Sequence, residues 1–201
     1  MKTQLITSLL LLVPATTWAV DYQIDPAHSA AQFAVRHMMI SNVKGEFTKV
    51  SGKVSFDPQN LVASSVEAVI DATSLSTREP QRDTHLKSPD FFDVAKFPTL
   101  TFKSKQIYRA NGQLMMKGDL TMRGVTKEVV MTVDGPTAEI KDPYGNLRIG
   151  ASATAHVNRK DWGLNWNGAL EAGGVVVGDE VTITIDMEAM RKPEKSTSAA
   201  K

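Results

Sequence analysis

The sequence predicts an all-β fold, and three observations support this prediction. Apolar and polar residues alternate along many short runs, most clearly in Val181–Met187. Turn-forming residues separate these runs, and Asn111-Gly112 is a strong hairpin signal. The number of runs indicates seven or eight strands in a single domain without internal repeats. Such strands, joined by tight turns, favour an antiparallel barrel or a sandwich.

Each alternating run predicts a strand with one apolar and one polar face, because side chains alternate across a strand. In chain order the runs are Ala31–Val35, Val54–Phe56, Val66–Ile70, Leu114–Met122, Val129–Val133, Ile149–Ala155 and Val181–Met187. The turn signals between them include Asp57-Pro58, Gly124, Asp134-Gly135-Pro136 and Asp142-Pro143.

The segment "TREPQRDTHLKSPDFFDV", residues 77–94, interrupts this pattern. Ser76 with Glu79 fits a capping box, and Pro80 suits an early helical position. Ser88-Pro89 is a second helix-start signal. We therefore expect two short helical turns that close one end of the sheet.

The N-terminus predicts export. Residues 1–19 combine Lys2, a short apolar run and a small residue, Ala19, which is the pattern of a cleaved signal peptide. The apolar run is shorter than the roughly 20 residues needed to span a bilayer. Cysteine is absent, which excludes disulfides and a cysteine-anchored lipoprotein. We expect a periplasmic protein with one domain at 20–190 and a disordered tail at 191–201.

The charge balance argues against a nucleic-acid partner. The chain has 23 basic and 22 acidic residues, and removal of Lys2 with the signal peptide balances them. The tail holds four of the basic residues and one acidic residue, so the remaining body is mildly acidic. A nucleic-acid-binding face would need to be basic.

The apolar strand faces have two possible interpretations. A small barrel fills its interior either with side chains or with a ligand. The alanines at positions 151, 153 and 155 leave room, and methionines adapt to irregular ligands. Periodicity alone favours the other interpretation, in which the same residues complete a tight core, and composition does not separate a filled barrel from a hollow one.

Five motifs taken together resemble the YceI-like family of exported, lipocalin-like barrels. They read "YQIDPAHSAAQFAVRHMMISNVKGEF", "STREPQRDTHLKSPDFFDVAKFPTLTFKS", "GDLTMRGVTKEV", "NRKDWGLNW" and "VGDEVTI", and the similarity covers about Asp21 to Met190. The resemblance implies an eight-stranded antiparallel barrel, closed by the short helical segment. It also implies a long apolar pocket for a polyisoprenoid or another long-chain lipid, with no cofactor.

The candidate ligand-binding residues fall into two groups. For the polar head group we consider Arg82, His85, His37 and Arg159, because arginine donates in pairs to phosphate. In the alternative interpretation, Arg82 and Asp83 brace the helix and the histidines are structural. For the lipid tail the candidates are Phe33, Val35, Phe56, Ala68, Ile70, Leu86, Phe91, Phe102, Met116, Met122, Met131, Ala151, Ala153, Ala155, Trp162, Trp166 and Ile183.

Other chemistry is weakly indicated. Asp25, His28 and Ser29 suggest a turn rather than a catalytic triad, whose members come from distant segments. The four histidines are spread along the chain without a metal-ligand spacing. We expect a lipid carrier without catalytic activity, monomeric or dimeric, with possible transient membrane contact. The alternatives are a hydrolase that pairs His85 with Asp83 or His37, and a scaffold that binds an envelope or redox partner.

Overall fold

The computed structural model describes residues 19–171 and 173–193. The predicted signal peptide, apart from its last residue, and residues 194–201 of the predicted tail lie outside the described residues. The strands are β1 (Val20–Ile24), β2 (Ala30–His37), β3 (Ser41–Phe47), β4 (Val50–Phe56), β5 (Ser65–Asp71), β6 (Leu75–Ser76), β7 (Thr99–Ala110), β8 (Gln113–Met122), β9 (Val125–Asp134), β10 (Ile140–Lys141), β11 (Leu147–Asn158) and β12 (Val177–Arg191). One α-helix, α1 (Pro80–Lys87), is found in the described part of the chain, and it is too short to cross a membrane.

Strand pairing closes these elements into an eight-stranded antiparallel barrel. Four pairs of strands each form one long strand interrupted by a break: β1 with β2, β3 with β4, β5 with β6, and β9 with β10. β1 pairs with β4 while β2 pairs with β3, and both β1 and β2 lie along β12. β12 in turn pairs with β11 over twelve residue pairs, which closes the ring. The all-β prediction is confirmed, and the fold is a barrel rather than a sandwich.

The barrel has two distinct ends. One, the helical end, holds α1, the β2–β3 turn (38–40) and the β11–β12 connection (159–176). The other, the terminal end, holds the start of β1, the end of β12 and the β7–β8 turn. At that turn Asn111 and Gly112 both have positive φ, 50° and 78°, as the hairpin signal predicts. The end of β12 includes Arg191, which the sequence analysis assigned to the tail.

The alternation of β8 shows how the core is built. Leu114, Met116, Leu120 and Met122 are buried, at every second position of the strand. The remaining inward position is Gly118, where an added Cβ would lie only 2.5 Å from the Phe102 ring. The missing side chain therefore gives Phe102 of β7 its place in the interior.

The predicted helical segment contains one helix instead of two helical turns. Pro80 occupies the first turn, as expected, but the capping box is wrong: Glu79 itself is the N-cap, and its carboxylate accepts from the backbone N–H of Gln81. Ser88-Pro89 begins a series of turns, in which the Phe91 N–H bonds the Ser88 carbonyl. Ser88 is the C-cap of α1, so its backbone ends one helix and does not begin another.

A partly buried charge cluster holds the terminal end together. Nη1 of Arg148 lies 2.7 Å from Oδ2 of Asp25, and Nε lies 2.7 Å from Oδ2 of Asp142. Nη1 also contacts the Glu188 carboxylate. Asp25 accepts a further bond from the Ala27 N–H in the predicted turn and pairs with His28. Arg148 therefore joins β11, β12 and the two adjoining loops.

These contacts shift the ionisation of the two aspartates. Hydrogen bonds from Arg148 and then from His28 lower the pKa of Asp25 to about 2. Bonds from Arg148 and Asn146 hold the pKa of Asp142 well below its usual range. Each carboxylate is ionised at neutral pH and is more stable as an anion in the folded protein than in water.

Candidate functional site: an apolar cavity inside the barrel

The barrel encloses a cavity of about 620 Å³. This volume lies within the range of about 300–1,000 Å³ that small-molecule sites span. Fifteen of the predicted tail residues lie on its wall: Phe33, Val35, Phe56, Ala68, Ile70, Leu86, Phe91, Phe102, Met116, Met122, Met131, Ala151, Ala153, Trp166 and Ile183. The inward faces of the strands thus surround open space as well as a packed core.

Two of the residues predicted to contact the lipid tail do not line the cavity. Ala155 is 3 % exposed and belongs to the packed core. Trp162 is 2 % exposed, and its indole Nε1–H donates to the Leu120 carbonyl at 3.1 Å. It lies in the 3₁₀ turn Arg159–Trp162, where it plugs the helical end of the barrel. Trp166, four residues later, is the tryptophan that reaches the cavity.

Several wall residues were missed by the sequence analysis. They come mainly from β3, β7, β9, β11 and β12: Val43, Phe47, Leu100, Ile107, Val133, Ile149, Val157, Val181, Ile185 and Met187. Most of them share the alternation of residues that were selected. The same period-two signal, applied to every strand in full, would have identified those outside β7.

His85 lies on the cavity wall at the helical end, in an aromatic setting. Its ring is edge-on to Phe91 and to Trp166, with centroid distances of 5.1 and 4.8 Å. Nε2 lies 3.0 Å from Oδ2 of Asp90. The two aromatic rings and the carboxylate fix the orientation of the imidazole, and Nδ1 is the nitrogen that this hydrogen bond leaves available.

Arg82 also lines the cavity, and part of its guanidinium is used to brace α1. Nε donates to Oγ1 of Thr77 at 2.8 Å, and Nη2 donates to the Thr77 carbonyl at 3.0 Å. The Asp83 carboxylate accepts from the backbone N–H of Thr77 at 2.7 Å and from its hydroxyl at 2.5 Å. The hydrogen bonds of Asp83 all serve to brace the helix, as the alternative interpretation predicts. For Arg82 it leaves Nη1 as a donor for other partners.

Arg159 is fastened to backbone carbonyls. It is 5 % exposed, and it donates to the carbonyls of Leu164, Trp166, Val177 and Gly178. Burial lowers the pKa of Arg159, and the nearby Asp179 carboxylate partly offsets this effect. Because Nε, Nη1 and Nη2 all donate to carbonyls, its evident role is to hold the β11–β12 connection against the barrel. The head-group prediction for Arg159 did not anticipate this arrangement.

His37, the last residue of β2, is half-buried on the cavity wall, opposite Val177 of β12. The hydrolase alternative required His85 to pair with Asp83 or His37. In the structure His85 pairs with Asp90, and Asp83 is occupied by Thr77. His85 and Asp83 therefore each have another partner in this structure.

One group of residues in the described part of the chain has a metal-like arrangement, at the terminal end. Ligand atoms of Asp25, His28 and Glu188 lie within 4.8 Å of one another. The guanidinium of Arg148 bonds both carboxylates. The positive charge that a metal ion would supply there comes from this arginine.

A closed eight-stranded antiparallel barrel with an internal apolar cavity defines a lipocalin-like class of protein. Comparison with known sequences gives the particular family: a model of the YceI-like domain matches residues 22–189, and the chain belongs to that family. A UPF0312 protein of Vibrio cholerae is 40 % identical over 163 residues, which cover 80 % of this chain and 86 % of the relative.

Solved structures share the fold. The YceI protein of Campylobacter jejuni is 30 % identical, with a TM-score of 0.66 over 78 % of this chain and 90 % of its own. A polyisoprenoid binding domain from Saccharophagus degradans has a TM-score of 0.60 over 86 % of this chain and 98 % of its own, at 16 % identity. The predicted family resemblance and the eight-stranded barrel are thereby confirmed.

Proposed function

We propose that this protein binds a long-chain isoprenoid or a related amphiphilic lipid, with the tail in the barrel cavity and the polar end at the helical end. Binding serves transport, storage or sequestration in the periplasm after export. No bond chemistry is part of the function: the protein acts by keeping the lipid tail out of water.

The observation that carries the proposal is the apolar cavity. Its wall is formed almost entirely by carbon side chains from the strands, with Ala151 and Ala153 leaving room and Met116, Met122 and Met131 able to adapt. Each buried methylene of a ligand contributes about 0.8 kcal/mol. A long tail is therefore bound tightly with little dependence on its exact structure.

The polar groups at one end of the cavity support the proposed orientation of the lipid, with its polar end at the helical end. Arg82, His85 and His37 lie on the wall at the helical end, and each can donate a hydrogen bond. Donors at this position favour a head group with phosphate, carboxylate or carbonyl oxygens. The S. degradans domain is described as polyisoprenoid binding. Its 16 % identity makes that likeness one of fold, so the cavity remains the main argument.

Mass spectrometry of an organic-solvent extract tests the proposal directly. The protein would be expressed with its N-terminal segment and purified without detergent. We expect one dominant isoprenoid at nearly one molecule per protein, and a mature N-terminus near residue 20 in the periplasmic fraction. An empty extract, together with no uptake of added isoprenoids, would refute lipid binding.

A turnover assay separates binding from catalysis. We expect no release of phosphate from a polyprenyl phosphate incubated with the protein. Release that is abolished in His85→Ala would contradict the non-catalytic part of the proposal.

A further inference from the structure

The rim of the helical end carries a concentration of exposed apolar side chains. In the β2–β3 turn Met38, Met39 and Ile40 are 41 %, 53 % and 75 % exposed, and Val175 of the neighbouring connection is 37 % exposed. The Met38 N–H donates to the Val176 carbonyl at 2.8 Å, which joins the two loops. We call these four residues the rim tip. Contiguous exposed apolar groups at one site indicate a contact surface, whereas isolated ones are ordinary.

The backbone of the turn holds the two methionines in an unfavourable conformation. Met38 and Met39 have φ values of 50° and 61°, in the left-handed region that glycine or asparagine occupies at lower cost. Strained residues of this kind concentrate at functional sites. Here the strained conformation presents large apolar side chains to solvent at a position where a small polar residue would suit the backbone better.

The charge around the turn points to an anionic partner. Residues 26–45 contain Arg36 and Lys44 and no aspartate or glutamate. Both basic side chains are exposed and flank the turn. The neighbouring connection and the start of β12 carry the exposed acids Asp161, Glu171 and Glu180, so the basic character belongs to the β2–β3 side alone. Apolar residues flanked by arginine and lysine are the pattern of proteins that lie in a membrane interface.

The rim tip is continuous with the cavity. His37, directly before Met38, lies on the cavity wall, as do Val176 and Val177, directly after Val175. A lipid that moves between a bilayer and the barrel at this point would not have to cross water. We propose that the rim tip inserts into the head-group region of an anionic bilayer, and that the barrel takes up and releases its ligand there. This inference rests on the proposed function.

Vesicle binding of the mature protein tests the proposal. The probes are vesicles of phosphatidylethanolamine and phosphatidylglycerol, with pure phosphatidylcholine vesicles for comparison. The test variant combines Met39→Asn, which suits the left-handed backbone, with Ile40→Ser. The matched control combines Ile140→Ser with Tyr144→Ser, because these residues are 63 % and 89 % exposed at the terminal end. We expect the test variant to bind anionic vesicles at least about tenfold more weakly than wild type and the control to bind like wild type.

Site-specific labelling locates the contact independently. The chain has no cysteine, so Ile40→Cys and Tyr144→Cys each introduce a single site for a polarity-sensitive dye. We expect the emission of the dye at position 40 to shift to shorter wavelength with anionic vesicles, and that at position 144 to stay unchanged. Equal vesicle binding by the test variant and wild type, or a shift only at position 144, would overturn the proposal. The proposal would also be overturned if wild type formed a dimer, did not bind vesicles, and lost the dimer in the test variant. The rim tip would then contact a second copy of the chain.

The lipid extract keeps this test separate from that of the proposed function. If the protein carries an isoprenoid but does not bind vesicles, the result contradicts membrane docking alone. Protein that is empty and takes up no isoprenoid, yet binds vesicles through the rim tip, contradicts the lipid-carrier function and ligand transfer at the rim tip, and leaves membrane docking supported.

Discussion

The two ends of the barrel differ in how their polar side chains are used. At the terminal end Arg148 is bonded to the carboxylates of Asp25, Asp142 and Glu188, so one guanidinium joins distant parts of the chain. At the helical end polar side chains border the cavity, and α1 buries none of its residues. The comparison indicates that one end stabilises the closed barrel while the other is left available for binding. Substitutions at the two ends should therefore affect different measurements.

The largest effect on stability is expected from Arg148→Met. The change leaves three carboxylates close together without their common partner, and like charges that lose their partner in a partly buried site are destabilising. We expect the melting temperature to fall by about 10 °C or more. The control is Arg109→Met, an exposed arginine of β7 near the same end, which should change it little. A similar fall in both variants would show that the cluster has no special role.

The largest effect on binding is expected from Ala153→Phe. The ring would occupy the cavity that the alanine leaves open, so the lipid content should fall below about a tenth of wild type while the protein stays folded. Thr154→Phe is the matched control, because Thr154 is the next residue of β11 and does not line the cavity. Mass spectrometry of the extract, with circular dichroism of the same samples, measures both quantities. Unchanged lipid content in Ala153→Phe would place the ligand elsewhere.

A smaller, pH-dependent effect on the free energy of unfolding is expected from Asp25→Asn. The folded pKa of Asp25, about 2, lies below the ordinary value of 3.8, so its ionised form stabilises the native state above pH 4. This contribution, roughly 1–2 kcal/mol, is lost as the pH falls from about 4 to about 2. Asp25→Asn should remove that part of the pH dependence from urea unfolding curves. The exposed Asp21 provides a control in Asp21→Asn. An unchanged slope between pH 4 and 2 would contradict the assignment.

The smallest effect is expected from His85→Leu at the helical end. The variant keeps an apolar side chain between Phe91 and Trp166 but removes the hydrogen-bonding group, so lipid affinity should fall about fivefold. Thr84→Ala changes a neighbouring, exposed residue of α1 and should leave affinity unchanged. Fluorescence titration with a labelled isoprenoid measures both. A normal affinity in His85→Leu would remove His85 from the head-group site.

The period-two alternation made the barrel predictable, and its interruptions explain what was missed. β7 was not recognised as a full strand because its register shifts between Ser104 and Gln106. Leu100 and Phe102 face the cavity before the shift, and Ile107 faces it afterwards, so even positions give way to odd ones. A continuous alternation never develops over the whole strand, even though both halves pair with β8.

The site was predictable in its apolar part and less so in its polar part. Wall residues such as Met116 follow from alternation alone. The setting of Arg159 depends on the carbonyls of Leu164, Trp166, Val177 and Gly178, which converge on it from irregular chain and the start of β12. No pattern in the sequence describes this convergence. The Arg148 cluster joins residues from opposite ends of the chain, which meet only when β11 and β12 pair to close the barrel.

The arrangement at the terminal end also determines how the barrel could be rebuilt. Gln23 and Met190 are paired neighbours on β1 and β12, so both ends of the barrel segment emerge side by side, away from the helical end. A surface anchor or a fused domain attached at either end would leave the cavity entrance unobstructed and facing outward. A short linker between the two ends, with new termini cut at Asn111-Gly112, gives a circular permutant in which every strand keeps its neighbours.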